Sequence, residues 1–341
     1  MKFKLVGLVL TLAAFVLTGC ETSIPEGWTG SDMQSLSEPI AFDGELHSKG
    51  AYVIDLDSDE VMFAKNEKEK LIPASTIKIM TALLTLEKAE DLEELVQIPE
   101  AVFAGFDNPL DPNTVGGSLS RIIAGQDNVT YLDCLYGLML SSGNEAANIL
   151  AYNIGGGDIA GFVAMMNARA VELGCSDTVF TNAHGLLEGG ISSTARDLAV
   201  ITKYAYQKFP LFRELCGASE YAMPGNKSVN PDGYRIRNSN GLLRDGKDNI
   251  YYRSFIRGIK NGALDEIWVR SDGGEWERQE GIANLISLGT VGGKSYIIVT
   301  LEAPYKTGEL ETGESRLHYS YLDHLELYEW LFGEAVTADY D

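Results

Sequence analysis

Ser75 and Lys78 are the residues of this 341-residue chain whose types and spacing best suit nucleophilic chemistry. They lie three residues apart in a largely apolar segment, 71–84. On a helix this spacing puts the hydroxyl and the amine on one face, where a neutral amine could accept the hydroxyl proton and activate the serine. Because the apolar residues leave almost no polar side, we expect a buried helix that starts at Pro73.

A serine–lysine pair also arises by chance, so it needs a second proton carrier before it indicates catalysis. Ser142 and Asn144 meet that need, because they follow the apolar helical pattern that ends at Leu140. Their hydroxyl and amide lie in a tight polar turn that could reach back to the pair. A plain helix C-cap uses the same residue types, so the turn alone leaves both interpretations open.

A cation that could hold the negative charge of a substrate occurs at Lys260. The apolar run 251–259 predicts a strand, and Lys260, Asn261 and Gly262 come directly after it. Glycine at that place would let a ligand backbone approach closely. The alternative is an ordinary solvated lysine at a strand end.

Hydrophobic periodicity predicts strands at both ends of the chain and helices between them. A β-hairpin is expected over 51–56 and 61–64, and a closing helix from Ser320 to Phe332. The helical patterns cover 131–140, 146–154, 159–173 and 195–206, and the later strand-like runs cover 251–259, 281–288 and 295–301. Strands from distant segments imply one sheet packed against a helical lobe.

The composition excludes some classes of function. A net charge of −22 without clustered Lys and Arg argues against nucleic acid as a partner. Hydrophobic residues make up 45% of the chain, which is enough for a sizeable core. The four histidines show neither a helical ligand pair nor a zinc-like spacing with cysteine, so we expect no metal and no cofactor.

The first twenty residues are typical of an exported lipoprotein. Two lysines precede the apolar run 6–17, which is too short to span a bilayer and suits the core of a signal peptide. The run closes with Leu17-Thr18-Gly19-Cys20, which resembles the bacterial lipobox, although an ordinary signal peptide with an incidental cysteine remains the alternative. The expected lipid would hold the protein on the outer face of the cytoplasmic membrane. The expected divisions are a signal peptide (1–19), a flexible tether that begins at lipidated Cys20 (20–45), one domain (46–332) and a tail (333–341).

Three cysteines remain after Cys20. Cys134 lies in an apolar run and is expected in the core. Cys175 and Cys216 could pair in an exported protein, but only their number favours a disulfide, so the pairing stays open.

Taken in order, three short motifs resemble the active-site set of the serine penicillin-binding proteins, and more specifically the low-molecular-mass D-alanyl-D-alanine carboxypeptidases. They are 75–78 (STIK), 142–144 (SGN) and 260–262 (KNG). Segments 182–186 and 193–197 are similar as well, and the resemblance covers roughly residues 48–332. It implies an α+β fold of the β-lactamase/D,D-peptidase type, with an antiparallel sheet built from both chain ends, packed against helices, and an inserted all-helical lobe.

The resemblance also implies a reaction. Ser75 would attack the carbonyl between the two terminal D-alanines of a peptidoglycan stem peptide and form an acyl-enzyme. Lys78 would be the general base, with a pKa lowered by burial and by the neighbouring Lys260. Ser142 would pass the proton to the leaving amine, and Asn144 would orient Lys78 and the substrate amide. β-Lactams would be covalent inhibitors.

The substrate-binding residues follow from the same resemblance. Lys260 and Asn261 would face the terminal carboxylate of the substrate, beside Gly262. The backbone N–H groups of Ser75 and Ala263 would form the oxyanion hole.

Asn261 departs from the family pattern, which has Thr or Ser there. An amide is longer than a hydroxyl and would crowd the carboxylate, so we expect reduced turnover and a gain in Asn261→Thr. The literal Lys-Thr-Gly at 306–308 is rejected as the third motif, because two strands should follow that motif. The same positional argument rejects Ser-Val-Asn at 228–230 as the second motif. The remaining similar positions are His184 and Arg196, expected to buttress the site, and Arg316, a weaker candidate for a second carboxylate contact.

Two other functions remain open. A serine β-lactamase would need a glutamate that activates water, in a loop between the second and third motifs, and Glu188 has the wrong spacing for it. A non-catalytic cell-wall-binding lipoprotein would keep the fold without turnover, and Asn261 is its only motivation.

Overall fold

The computed structural model describes residues 42–103, 118–226, 230–245, 249–270, 276–305 and 318–333. Several expectations lie outside these ranges: the signal peptide, Cys20 and most of the tether, the motif-like segment 306–308, most of 228–230, Arg316 and most of the tail.

An antiparallel sheet of five strands is the framework of the described chain, and its strands come from both ends. The strands are β1 (Gly50–Asp55), β2 (Val61–Lys65), β5 (Ile256–Arg270), β6 (Trp276–Val291) and β7 (Lys294–Pro304). Their spatial order is β2-β1-β7-β6-β5, with every neighbouring pair antiparallel. A separate two-stranded sheet, which the sequence did not predict, joins β3 (Glu220–Met223) to β4 (Tyr234–Arg237).

Helices occupy the middle of the chain and its end. They are α1 (Lys78–Lys88), α2 (Tyr131–Leu140), α3 (Asn144–Ile154), α4 (Ile159–Glu172), α5 (Ala195–Lys208), α6 (Pro210–Gly217) and α7 (Tyr319–Phe332). Thr130 caps α2 in a capping box with Asp133, and Thr194 caps α5 through the N–H of Asp197. These caps satisfy backbone donors that a helix start otherwise leaves unpaired, which explains why both helices begin where they do.

The sheet separates two hydrophobic layers. One layer joins the sheet to the helices of the central lobe, and its centre is α1, whose residues from Lys78 to Thr85 are all buried. The other layer packs α7 on the opposite face, with Leu327 and Tyr328 fully buried. Phe42 packs edge-to-face against Phe63 and Trp330 in this second layer. Residue 42 is therefore part of the packed domain.

The predicted α+β architecture is confirmed, and two local predictions are wrong. The strand expected over 251–259 begins only at Ile256 and continues to Arg270, so Lys260 lies inside a strand. Polar residues end the apolar run in the sequence, but pairing with β6 continues from Ile256 to Arg270 because both partners are extended. The helix expected from Pro73 begins instead with a 3₁₀ turn, Ala74–Ile77, before α1.

The remaining cysteines are buried free thiols. Burial raises the pKa of Cys175 and of Cys216, and no bridge joins them. The disulfide that the count of cysteines had left open is therefore not formed. Among the described residues, no single helix has the length and apolar character needed to cross a membrane, while the bent pair α3 and α4, at 89°, meets that test together.

Candidate active site

Ser75 lies on the 3₁₀ turn that precedes α1, half-buried at the end of the buried helix. Two glycines from other elements pack on this turn. A Cβ on Gly185, whose φ is +92°, would lie 2.1 Å from the carbonyl oxygen of Ala74, and one on Gly262 would lie 2.9 Å from the nitrogen of Ser75. Real Cβ atoms do not approach that closely, so only glycine at both positions allows these elements to close around the serine.

Lys78 contacts three oxygen atoms at the base of the site. Its Nζ lies 3.0 Å from Ser75 Oγ, 2.8 Å from Asn144 Oδ1 and 2.5 Å from the backbone oxygen of His184. The last two oxygens can only accept hydrogen bonds, whereas a serine hydroxyl can donate. A protonated lysine can donate to all three oxygens, whereas a neutral amine can give its two hydrogens to the two acceptors and turn its lone pair to the hydroxyl of Ser75.

The environment of Lys78 favours that neutral form. Burial is the main cause that lowers the pKa of Lys78 well below its ordinary value, and the charge of Lys260 lowers it further. The carboxylate of Glu145 acts in the opposite direction. The burial predicted from the apolar character of this segment is thus present, with the lysine fully buried.

The turn after α2 holds the second pair of predicted residues. Ser142 has a φ of +58°, an uncommon conformation for a residue with a side chain. It follows that the serine, and not the adjacent Gly143, carries the left-handed conformation that ends many helices. The turn is fixed by hydrogen bonds from Gly143 N–H to the oxygen of Gly137 (3.0 Å) and from Asn144 N–H to the oxygen of Ser118 (2.8 Å).

Lys260 connects the sheet to this turn. Its Nζ donates to Ser142 Oγ at 2.9 Å and to the backbone oxygen of Asn261 at 2.6 Å. Burial lowers the pKa of Lys260 to about 7. Near neutral pH this lysine can therefore exist both with and without its proton, which suits a group that meets an anionic substrate and a proton-carrying serine.

The third predicted cluster lies along the middle of β5, an edge strand of the five-stranded sheet. Gly262 is buried where it passes the Ser75 turn, while Ala263 is exposed and Asn261 is half-exposed. Together with Lys260 these residues form one wall of the site.

The loop 182–186 supplies a backbone acceptor that sequence reasoning missed. Asn182 Oδ1 accepts from the N–H groups of His184 (3.2 Å) and Gly185 (2.7 Å), and Asn182 Nδ2 donates to the oxygen of Leu186 (3.0 Å). This turn aims the carbonyl of His184 at Lys78. Burial is the main cause that lowers the pKa of the His184 ring to about 3, so the ring is neutral near neutral pH. Its role in buttressing the site stays a prediction.

Glu145 is a second residue that the sequence analysis did not single out. It is fully buried beside Asn144, and its Oε1 accepts from the N–H (2.5 Å) and the hydroxyl (2.9 Å) of Ser120. Burial raises its pKa, and these hydrogen bonds oppose that rise. Its position directly after the SGN motif was the available signal.

Arg196 and the rejected candidate Glu188 make contacts with residues outside the three motifs. Arg196 pairs with Asp197 at 3.2 Å, and Glu188 contributes its backbone oxygen to Thr181 at 2.7 Å. Among the described residues, no group of three or more His, Cys, Asp or Glu side chains could hold a metal ion.

Four side chains of the site can carry out acyl transfer. Lys78 can remove the hydroxyl proton of Ser75, and Ser142, bonded to Lys260, can pass a proton to the leaving group. The described site therefore has the groups that a serine–lysine acyl-transfer protein needs. The sequence model of the family described as D-alanyl-D-alanine carboxypeptidase matches residues 33–264, more than half of the chain. The chain belongs to this family, which confirms the resemblance seen in its motifs.

Individual relatives agree with the family. The D-alanyl-D-alanine carboxypeptidase DacB2 of Mycobacterium tuberculosis is 34% identical over 242 residues, 69% of this chain and 77% of that protein. The D-alanyl-D-alanine carboxypeptidase DacD of Escherichia coli is 34% identical over 211 residues, 60% of this chain and 50% of that protein. The chain spans about half the length of several such relatives, including DacD and the DacF protein of Bacillus subtilis.

Solved structures show the same fold. The crystal structure of the Streptomyces K15 DD-transpeptidase superposes with a TM-score of 0.65 at 25% identity, over 86% of this chain and 99% of that one. Penicillin-binding protein 6B from Escherichia coli superposes with a TM-score of 0.63 at 27% identity, over 85% of this chain and 78% of that one.

Proposed function

We propose that this protein is a serine-type D-alanyl-D-alanine carboxypeptidase that removes the terminal D-alanine from peptidoglycan stem pentapeptides. One observation carries the proposal: Lys78 Nζ lies 3.0 Å from Ser75 Oγ while its other two contacts are pure acceptors. In the neutral form that burial and Lys260 favour, the amine gives its two hydrogens to these acceptors and can direct its lone pair at the hydroxyl, which is the arrangement a general base needs.

The reaction proceeds in two steps. Ser75 Oγ forms a bond to the carbonyl carbon as its proton passes to Lys78 Nζ, and the oxyanion lies between the N–H groups of Ser75 and Ala263. The C–N bond then breaks, and the amine of the leaving D-alanine takes a proton through Ser142. In the second step water forms a bond to the ester carbon as its proton passes to Lys78 Nζ, the C–O bond to Ser75 breaks, and Lys78 returns the proton to Ser75 Oγ.

Substrate binding uses the wall formed by β5. The protonated form of Lys260, with Asn261 beside it, faces the terminal carboxylate, and Gly262 lets the strand pass close to the nucleophile. Asn144 holds Lys78 through its Oδ1 and leaves its Nδ2 group for the substrate amide. β-Lactams, which carry a reactive amide and a carboxylate, would acylate the same serine.

Export and anchoring form a further part of the proposal. The signal-peptide pattern and the lipobox-like ending at Cys20 support a lipoprotein on the outer face of the cytoplasmic membrane. In cells supplied with a labelled fatty acid, the wild type should incorporate the label and Cys20→Ala should not. Equal incorporation in the variant would contradict lipidation at this cysteine.

The test of activity uses protein that lacks residues 1–20. We expect a fluorescent penicillin to label it at Ser75 and a stem pentapeptide to release one D-alanine, with both signals absent in Ser75→Ala. Labelling without release would favour a penicillin-binding lipoprotein that does not turn over, the alternative that Asn261 suggests. If the wild type is not labelled at all, Ser75 is not the nucleophile.

A further inference from the structure

The side chain of Asn261 replaces the hydroxyl that the family pattern has at this place, and the structure surrounds it with polar groups. Ser239 Oγ donates to Asn261 Oδ1 at 3.2 Å. Lys260 Nζ lies 3.4 Å from the same oxygen. Two donors, one of them cationic when protonated, thus face the amide oxygen, and the opposite orientation of the amide would direct its NH₂ group at the lysine.

Tyr321 on α7 fixes the segment that carries Ser239. Its hydroxyl accepts from the N–H of Gly241, two residues after Ser239, at 3.0 Å. Because Ser239 and Lys260 both face the oxygen of the Asn261 amide, the NH₂ group of this amide is left for a ligand in the cleft.

Ser239 is itself held firmly relative to the site. Its N–H donates to the oxygen of Leu140 at 2.8 Å, which ties it to the end of α2 just before Ser142. The N–H of Asn240 bonds to Asn238 Oδ1 at 2.9 Å and closes a tight turn around the serine. Ser239 is half-exposed, so its hydroxyl lies at the edge of the cleft while its backbone is fixed.

We propose that Ser239 is a positioning residue for recognition of the terminal carboxylate. Its hydroxyl holds the Asn261 carboxamide in the orientation in which an N–H, and not the oxygen, is directed at the carboxylate. An amide oxygen in that place would repel the anion, whereas an N–H donates to it. The hydroxyl that the family pattern has at position 261 is thus replaced by a serine–asparagine pair. This inference rests on the proposed carboxypeptidase function.

The test compares two substrates that differ only in the charge that Asn261 meets. One is a peptide ending in D-Ala-D-Ala with a free carboxylate, and the other is its C-terminal amide. We expect Ser239→Ala to lower kcat/KM on the free acid roughly tenfold, mainly through KM. Without the serine the Asn261 amide is no longer held in place, and its hydrogen bond to the charged carboxylate is lost. The same substitution should change kcat/KM on the amide less than about twofold, and Ser239→Thr, which keeps the hydroxyl, should restore the free-acid value.

A double-mutant cycle with Asn261→Ala separates this role from a structural one. If the serine acts through the asparagine, Ser239→Ala has no further effect once the amide is gone. Equal losses on both substrates, or additive losses in the double variant, would overturn the proposal. The exposed Ser58, in the turn between β1 and β2, provides a control in Ser58→Ala, which should match the wild type on both substrates.

Failure of the proposed function would look different. If wild-type protein is acylated by penicillin but releases no D-alanine, the carboxypeptidase assignment fails, and the acylation rate by benzylpenicillin, which also carries a carboxylate, replaces kcat/KM in the comparison. An unchanged acylation rate in Ser239→Ala would then refute the positioning role.

Discussion

Replacing Gly262 by alanine should slow acylation of Ser75 about tenfold while the domain stays folded. The added Cβ would lie 2.9 Å from the nitrogen of Ser75, 3.0 Å from that of Thr76 and 3.3 Å from the oxygen of Pro73. All three are backbone atoms, so no side chain can rotate away. To reach an ordinary contact of about 3.4 Å the strand must move by roughly 0.5 Å, and since a 1 Å misplacement of reacting groups can cost about a hundredfold in rate, half of that displacement gives about tenfold.

The measurement is the second-order rate constant for labelling by a fluorescent penicillin, with the Tm recorded in parallel. Gly217→Ala is the matched control, because its Cβ would meet only the Cδ of Arg257 at an ordinary 3.6 Å. We expect Gly217→Ala to label at the wild-type rate. A labelling rate in Gly262→Ala within twofold of the wild type, at an unchanged Tm, would refute the idea that close packing of β5 on the Ser75 turn aligns the nucleophile.

Two further predictions concern pH and stability. The mechanism needs Lys78 neutral and Lys260 protonated. Because burial lowers the pKa of Lys260 to about 7, kcat/KM should fall as the pH rises through that value. In the profile of kcat this fall should occur at higher pH, because the bound carboxylate favours the protonated lysine. A pH-independent kcat/KM between pH 6 and 9 would contradict these protonation states. Asp323 is fully buried on α7 and accepts hydrogen bonds from His47 and Ser48. Asp323→Ala should therefore lower the free energy of unfolding by about 3 kcal/mol and the Tm by roughly 6–10 °C, with little change in penicillin labelling per folded molecule. A Tm within 2 °C of the wild type would show that this contact is not important for stability.

The residues of the candidate site could be selected from the sequence because chemistry restricts them to a few types. A hydroxyl and an amine in an apolar helix, followed by polar turns after apolar elements, were sufficient to select Ser75, Lys78, Ser142, Asn144 and Lys260. The helices α2 and α5 were predicted nearly to the residue, since their caps and periodicity are local properties.

Other features depended on contacts between distant segments. The length of β5 could not be read from its own residues, because its polar half is extended through pairing with β6. The acceptor at His184 is a backbone atom, and backbone atoms leave no mark in residue types. Sequence alone also made Asn261 appear to be a defect, since its neighbour Ser239 lies 22 residues away in the chain.

The sequence by itself determined the family, the α+β class and the choice of Ser75 and Lys78 as candidate nucleophile and base, because these depend on residue type, order and local periodicity. Only the tertiary structure decided how the pKa of Lys78 is lowered and how residues 260–263 form one wall of the site. The pKa of Lys78 depends on complete burial and on the charge of Lys260, which a different part of the chain brings near. The orientation of the Asn261 amide depends on the hydroxyl of Ser239, which reaches it only when the segment tied to the end of α2 packs against β5.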